Sequence, residues 1–90
     1  MNDIFTKDPD AILDYSIDWS RYLATGVTIS TSSWTVPSGI IDLSDSNTTT
    51  TTTVVLSGGT ADTDYSLTNH VVLSDGNEDD RSITIAVREL

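Results

Sequence analysis

The chain contains a single histidine, His70, and an acid–base reaction near neutral pH would depend on it. Nucleophilic catalysis by serine needs such a base within hydrogen-bond reach. His70 stands between Asn69 and Val71 in a segment that alternates polar and apolar residues, which predicts that its ring faces solvent. No serine stands in a G-x-S-x-G setting. We therefore assign no catalytic residue and predict that the protein is not an enzyme.

The densest group of oxygen ligands is Asp75 to Asp80, with the sequence DGNEDD. Calcium takes six to eight oxygen ligands and binds in carboxylate-rich turns. The spacing does not match the EF-hand loop, so we interpret the segment as a solvated acidic loop and assign no metal ligand and no cofactor. Whether the loop binds calcium stays open on the sequence.

The composition excludes several classes of partner. Fourteen acidic residues against four basic ones give a formal charge of −10, which repels nucleic acid and anionic membranes. No apolar run approaches the roughly 20 residues of a membrane span. The segment Met1 to Pro9 lacks the basic start and apolar stretch of a signal peptide, so we expect folding in the cytoplasm. The absence of cysteine excludes disulfides and thiolate-bound metals.

The elements that carry these residues follow a period of two, which is typical of half-buried strands. Leu13, Tyr15, Ile17 and Trp19 alternate with polar residues, and Trp19 is assigned to the core. Further strands are predicted over 27–36, 40–43, 48–56, 64–74 and 81–88.

Three local features refine these strands. A change of phase around Ser32 and Ser33 predicts a β-bulge. The threonine run Thr48 to Thr53 continues into Val54, and β-branched residues favour strands, so the run is predicted to begin one long strand. The sequence from Asp75 to Asn77, DGN, predicts a hairpin turn.

Six to seven short antiparallel strands separated by turns predict an all-β protein, an immunoglobulin-like β-sandwich. We expect one domain over residues 11–90, preceded by a polar N-terminal arm over residues 1–10. Tyr65 follows a Gly-Gly turn at the start of the penultimate strand, where a tyrosine corner fixes the chain in such sandwiches.

Four residues are candidates for an interface. Ile4 and Phe5 are adjacent apolar residues in the arm, and they either dock onto a neighbour or fold back onto this domain. Tyr22 lies off the inward parity beside Arg21, and Trp34 is the other aromatic candidate.

The segment from Lys7 to Trp19, KDPDAILDYSIDW, resembles the opening of the fiber–tail adaptor family of small tailed-bacteriophage virion proteins. The later segments LSGGT at 56–60 and DDRS at 79–82, with Tyr65, are similar to the same family's end. The resemblance extends from about residue 7 to residue 89, and the threonine run departs from it. No catalytic residue of the family is carried over.

The resemblance implies a structural virion protein that links the tail or neck to fibers and is assembled in the bacterial host cytoplasm. It also implies a homo-oligomer whose partners are other virion proteins. Two alternatives stay open: a head decoration protein of the capsid, and a carbohydrate- or cell-surface-binding module that uses Tyr22 and Trp34. Copy number, symmetry and partner identity are not fixed by the sequence.

Overall fold

The computed structural model describes residues 3–90 and consists of two stacked β-sheets, which confirms the all-β prediction. One sheet has the order β1-β7-β6-β3 and the other has the order β2-β5-β4. The seven strands are β1 (Asp3–Lys7), β2 (Leu13–Asp18), β3 (Ile29–Thr35), β4 (Ile40–Asn47), β5 (Thr51–Gly58), β6 (Thr63–Leu73) and β7 (Glu78–Val87).

The core lies between the sheets and is filled by the alternating apolar residues of the strands. In β7 the buried residues are Ile83, Ile85 and Val87, with polar or small residues between them. The same alternation buries Val54 and Leu56 of β5. Because successive side chains of a strand point to opposite faces, this pattern fixes which face of each sheet turns inward.

Part of the predicted N-terminal arm over residues 1–10 forms a strand, and residues 1–2 of that arm lie outside the described residues. Residues Asp3–Lys7 form β1, which pairs in parallel with β7, whereas the other strand pairings are antiparallel. Phe5 packs on Tyr15 with ring centres 5.2 Å apart. Lys7 is buried, and its ammonium group donates to the carbonyls of Gly58 (2.7 Å) and Asp8 (3.0 Å). Burial lowers the pKa of Lys7. A lysine at an inward position interrupts the alternation of polar and apolar residues, so the sequence of residues 3–7 predicts a polar arm and not a strand.

The bulge in β3 lies earlier than predicted, between Ile29 and Thr31 rather than at Ser32 and Ser33. Ser32 is already on the inward side, where its hydroxyl accepts a hydrogen bond from Asn69 Nδ2 at 2.8 Å. The alternation of inward and outward side chains must therefore shift before Ser32.

The threonine run is divided between a turn and a strand, which corrects the prediction of one continuous strand. β4 reaches Asn47, and β5 begins only at Thr51. The Thr48 hydroxyl accepts from the backbone N–H of Thr51 at 3.0 Å and of Thr50 at 3.3 Å. Threonine side chains compete for backbone donors in this way at turns, and strand propensity does not capture that.

Tyr65 fixes the connection between β5 and β6. Its hydroxyl accepts a hydrogen bond from the backbone N–H of Thr60 at 2.9 Å. Gly39, with φ +102°, leaves room for the ring, since a Cβ there would lie 3.0 Å from the tyrosine oxygen. The predicted turn at Asp75–Asn77 joins β6 to β7, and its Gly76 has φ +90°.

Candidate interaction surfaces

A buried polar network joins the two sheets near one end of the core. The indole N–H of Trp19 donates to Asn69 Oδ1 (3.0 Å) and to Thr52 Oγ1 (3.2 Å). Thr52 donates to the same Asn69 oxygen at 2.7 Å, and Asn69 Nδ2 donates to Ser32 Oγ and to the Ser33 carbonyl. The buried side chains of Trp19, Thr52 and Asn69 are therefore all hydrogen-bonded. The sequence carried one signal of this network, an asparagine at an inward position of β6.

The network holds Trp19 in place, and the chain then makes a 3₁₀ turn over Ser20–Tyr22. That turn brings Tyr22 onto Arg81 of β7, with the guanidinium carbon 3.6 Å from the centre of the tyrosine ring. The same carbon lies 5.8 Å from the Trp19 ring. Arg81 is thus stacked on aromatic rings, a geometry that suits the planar guanidinium.

An open cleft of about 300 Å³ lies beside this stack. Its walls come from β1, β2, the 3₁₀ turn and β7, and it opens at the edge between the two sheets. Arg21 and Arg81 line it together with Asp3 and Asp18. Asp18 already accepts from the backbone N–H of Ser20 at 2.9 Å, and hydrogen bonds from Ser20 lower the pKa of Asp18.

The outer face of the three-stranded sheet carries exposed apolar side chains. Val54 and Leu56 point inward, so Ser57 of β5 and its pairing partner Ile41 of β4 point outward. A register shift at Leu43 places that residue on the surface as well. Ile41 is 56% exposed and Leu43 is 52% exposed. We call Ile41 and Leu43 the apolar patch. The adjacent pair of isoleucines at 40 and 41 was its sequence signal, because only one of them can face inward.

A family model matches residues 7–86 of this chain, and its description is Gp77, podophage GP4 fiber-tail adaptor protein gp77. The chain belongs to this family. The resemblance drawn from the sequence is therefore confirmed. No curated protein matches the chain. The matched range begins at the buried Lys7 and contains β2 to β6 and nearly all of β7. Family membership supports a structural role in the tail of a phage virion, and it does not favour the decoration or carbohydrate-binding alternatives.

In this member of the adaptor family the four predicted interface residues do not meet at one place. Ile4 is on β1 and 71% exposed, whereas Phe5 is half-buried against Tyr15. Tyr22 lines the cleft and is 39% exposed. Trp34 lies on β3, which pairs with β6 along the edge opposite to β7, and it is half-buried. Within residues 3–90 no ring contact joins Tyr22 to Trp34, so they form no shared aromatic platform.

His70 lies on the outer face of the four-stranded sheet, where its ring nitrogens contact Asp80 Oδ1 (2.5 Å) and Glu78 Oε1 (2.7 Å). Hydrogen bonds to Asp80 and Glu78 raise the pKa of His70. In the described part of the chain no three His, Asp or Glu side chains are grouped so that they could hold one metal ion. Residues 3–90 also contain no helix long and apolar enough to cross a membrane.

Proposed function

We propose that this protein is a non-enzymatic adaptor of the phage particle that links the tail or neck to the fibers. The apolar patch is the observation that carries the proposal beyond family membership. Ile41 and Leu43 expose more than half of their surface on a face that has no covering element among residues 3–90. Apolar residues that cluster on a face in this way mark protein–protein contacts more often than isolated exposed residues do.

The charge of the chain indicates the kind of partner that this patch suits. The net charge is −10, and exposed Asp14 and Asp45 lie on the same sheet as the patch. Two copies that met through this face would bring like charges together. A different virion protein with an apolar centre and a basic rim is the complementary partner.

We also propose that the sandwich is immunoglobulin-like and that several copies act together. The orders β2-β5-β4 and β7-β6-β3 correspond to strands B-E-D and G-F-C of an immunoglobulin domain, which supports the first point. The contact between Tyr65 and Thr60 supports it too. Within the described residues 3–90 no further strand pairs with the sheet edges at β1, β3, β2 and β4, and strand addition at such edges would suit symmetric copies.

The geometry around His70 supports a non-enzymatic role. Its ring is held between Asp80 and Glu78 on an outer sheet face, and it does not line the cleft. We expect that His70→Ala leaves assembly of the particle unchanged.

The adaptor contact is tested by incorporation of variants into particles. Leu43→Ser should lower the amount of the chain in purified particles about tenfold, since truncation at a contact centre typically costs 1–2 kcal/mol or more. Leu90→Ser is the matched control, because Leu90 is 84% exposed and does not belong to the three-stranded sheet that carries the patch. Quantitative mass spectrometry of the particles measures both. Equal incorporation of the two variants, with unchanged melting temperatures, would contradict the proposed contact.

A further inference from the structure

Among residues 3–90, Arg81 forms no ion pair, although the chain is rich in carboxylates. The ion pairs among residues 3–90 join His70 to Glu78 and Asp80, and Arg88 to Asp64. In the same part of the chain, the Arg81 Nε atom is buried and has no hydrogen-bond acceptor. Buried donors in folded proteins nearly always have an acceptor, so the missing acceptor requires an explanation.

Among residues 3–90 the two Nη groups of Arg81 make no hydrogen bond, and unlike Nε they are not buried, so they are the donors open to the cleft. One face of the guanidinium group is covered by the Tyr22 ring at 3.6 Å. Stacking of this kind fixes the plane of the guanidinium while its N–H groups point outward along the edge. A donor fork that is already oriented loses little conformational freedom when it binds.

The lining of the cleft beside Arg81 combines arginine donors with apolar side chains. Its volume is about 300 Å³, and Ile17 and Ile83 contribute apolar wall next to the arginines. Asp18 already accepts from Ser20, whereas the Arg81 Nε atom has no acceptor among residues 3–90.

We propose that this cleft binds one carboxylate group of a partner protein, through a two-point hydrogen bond to the Arg81 guanidinium. A planar carboxylate matches the arginine fork, and its methylene stem suits the isoleucine walls. A doubly charged phosphate is disfavoured because the chain as a whole carries a charge of −10. The cleft opens between β1 and β2, so this site is separate from the apolar patch on β4 and does not depend on the adaptor contact.

The test is an NMR titration of the full chain with N-acetyl-glutamate N-methylamide, a glutamate side chain without charged ends. The side-chain N–H resonances of Arg81 and Trp19 should shift and saturate, with a dissociation constant on the order of millimolar for so small a ligand. The glutamine analogue has the same shape without the charge and should cause no saturable shift.

Three variants test whether the Arg81 guanidinium group binds the carboxylate. Arg81→Lys keeps the charge and the stem but loses the fork, and it should weaken binding by about tenfold or more. Arg88→Lys is the matched control, because Arg88 already pairs with Asp64 at 2.9 Å, and it should bind like the unchanged protein. Tyr22→Leu removes the stacking ring and should weaken binding about threefold. Unchanged melting temperatures would exclude a failure to fold.

Four outcomes would overturn the proposal. They are no saturable shift with the glutamate probe, equal losses in Arg81→Lys and Arg88→Lys, inorganic phosphate binding as tightly as the carboxylate, and ethylammonium binding in its place. The last result would make the cleft a cation site that uses Asp3 and Asp18.

Discussion

Two polar regions beside Trp19 differ in how far their hydrogen bonds are satisfied. In the first, Asn69 and Thr52 are fully buried and bonded to each other, to the indole and to β3. In the second, Arg81, the cross-strand neighbour of Asn69 on β7, is stacked on Tyr22 with a buried Nε–H that lacks an acceptor among residues 3–90. Satisfied buried polar groups stabilise a fold, whereas an unsatisfied buried donor lowers stability, and the open Nη donors of Arg81 are available to the carboxylate proposed above. The first region should therefore govern stability and the second should govern binding.

The largest expected effect comes from removal of the centre of the buried network. Asn69→Leu leaves Trp19 Nε1 and Thr52 Oγ1 without their shared acceptor, and Ser32 and the Ser33 carbonyl without their donor. We expect the free energy of unfolding to fall by about 2–4 kcal/mol. Urea denaturation measures it. Asn47→Leu, at an exposed position of β4, is the control and should change stability by no more than about 0.5 kcal/mol.

A smaller loss of stability is expected when a single hydroxyl of the same network, that of Thr52, is removed. Thr52→Val is close in shape, and it removes one hydrogen bond to Asn69 and one from Trp19 while Asn69 still accepts from the indole. The free energy of unfolding should fall by about 1–2 kcal/mol. A loss as large as that of Asn69→Leu would mean that the hydroxyl, and not the amide, organises the network.

Arg81 should behave in the opposite way. Arg81→Met keeps an apolar stem on Tyr22 and removes an unsatisfied buried donor, so the free energy of unfolding should change by less than about 1 kcal/mol. Carboxylate binding in the cleft should be lost in the same variant. A destabilisation comparable to that of Asn69→Leu would end the distinction between the two regions.

The smallest effect on stability is expected at His70, whose ring nitrogens are hydrogen-bonded but whose side chain is exposed. Its pKa is raised by Asp80 and Glu78, so its contribution to stability is fully present below the unfolded pKa of about 6.5 and is lost as pH rises through the higher folded pKa. Urea denaturation between pH 5 and pH 8 should therefore show a small decline at the alkaline end, which His70→Gln removes. A folded pKa at or below 6.5, measured by NMR titration of the ring, would contradict this account.

The sequence allowed a correct prediction of most strands because their buried residues alternate. The inward positions of Val54, Leu56, Ile83 and Ile85 all follow from a period of two. The pattern failed at β1, where Lys7 occupies an inward position and satisfies its charge with backbone carbonyls. It also failed in the threonine run, where side-chain bonds to the backbone favour a turn.

The cleft could not be predicted in the same way. Tyr22 was singled out because it lies off the inward parity beside Arg21, but nothing in the sequence indicated that Arg81 would contact its ring. Arg81 lies on β7 and Tyr22 in the 3₁₀ turn, and a contact between segments so distant in the chain leaves no local pattern. The apolar patch could be predicted in part. The adjacent Ile40 and Ile41 indicate that one isoleucine faces outward, but no local pattern predicts the register shift that exposes Leu43.

A reconstruction of the phage particle at side-chain resolution tests the adaptor account most directly. The account expects density for this chain at the junction between tail and fibers, with Ile41 and Leu43 covered by a different virion protein. Density on the capsid faces, or at the junction with these two side chains facing solvent, would contradict it.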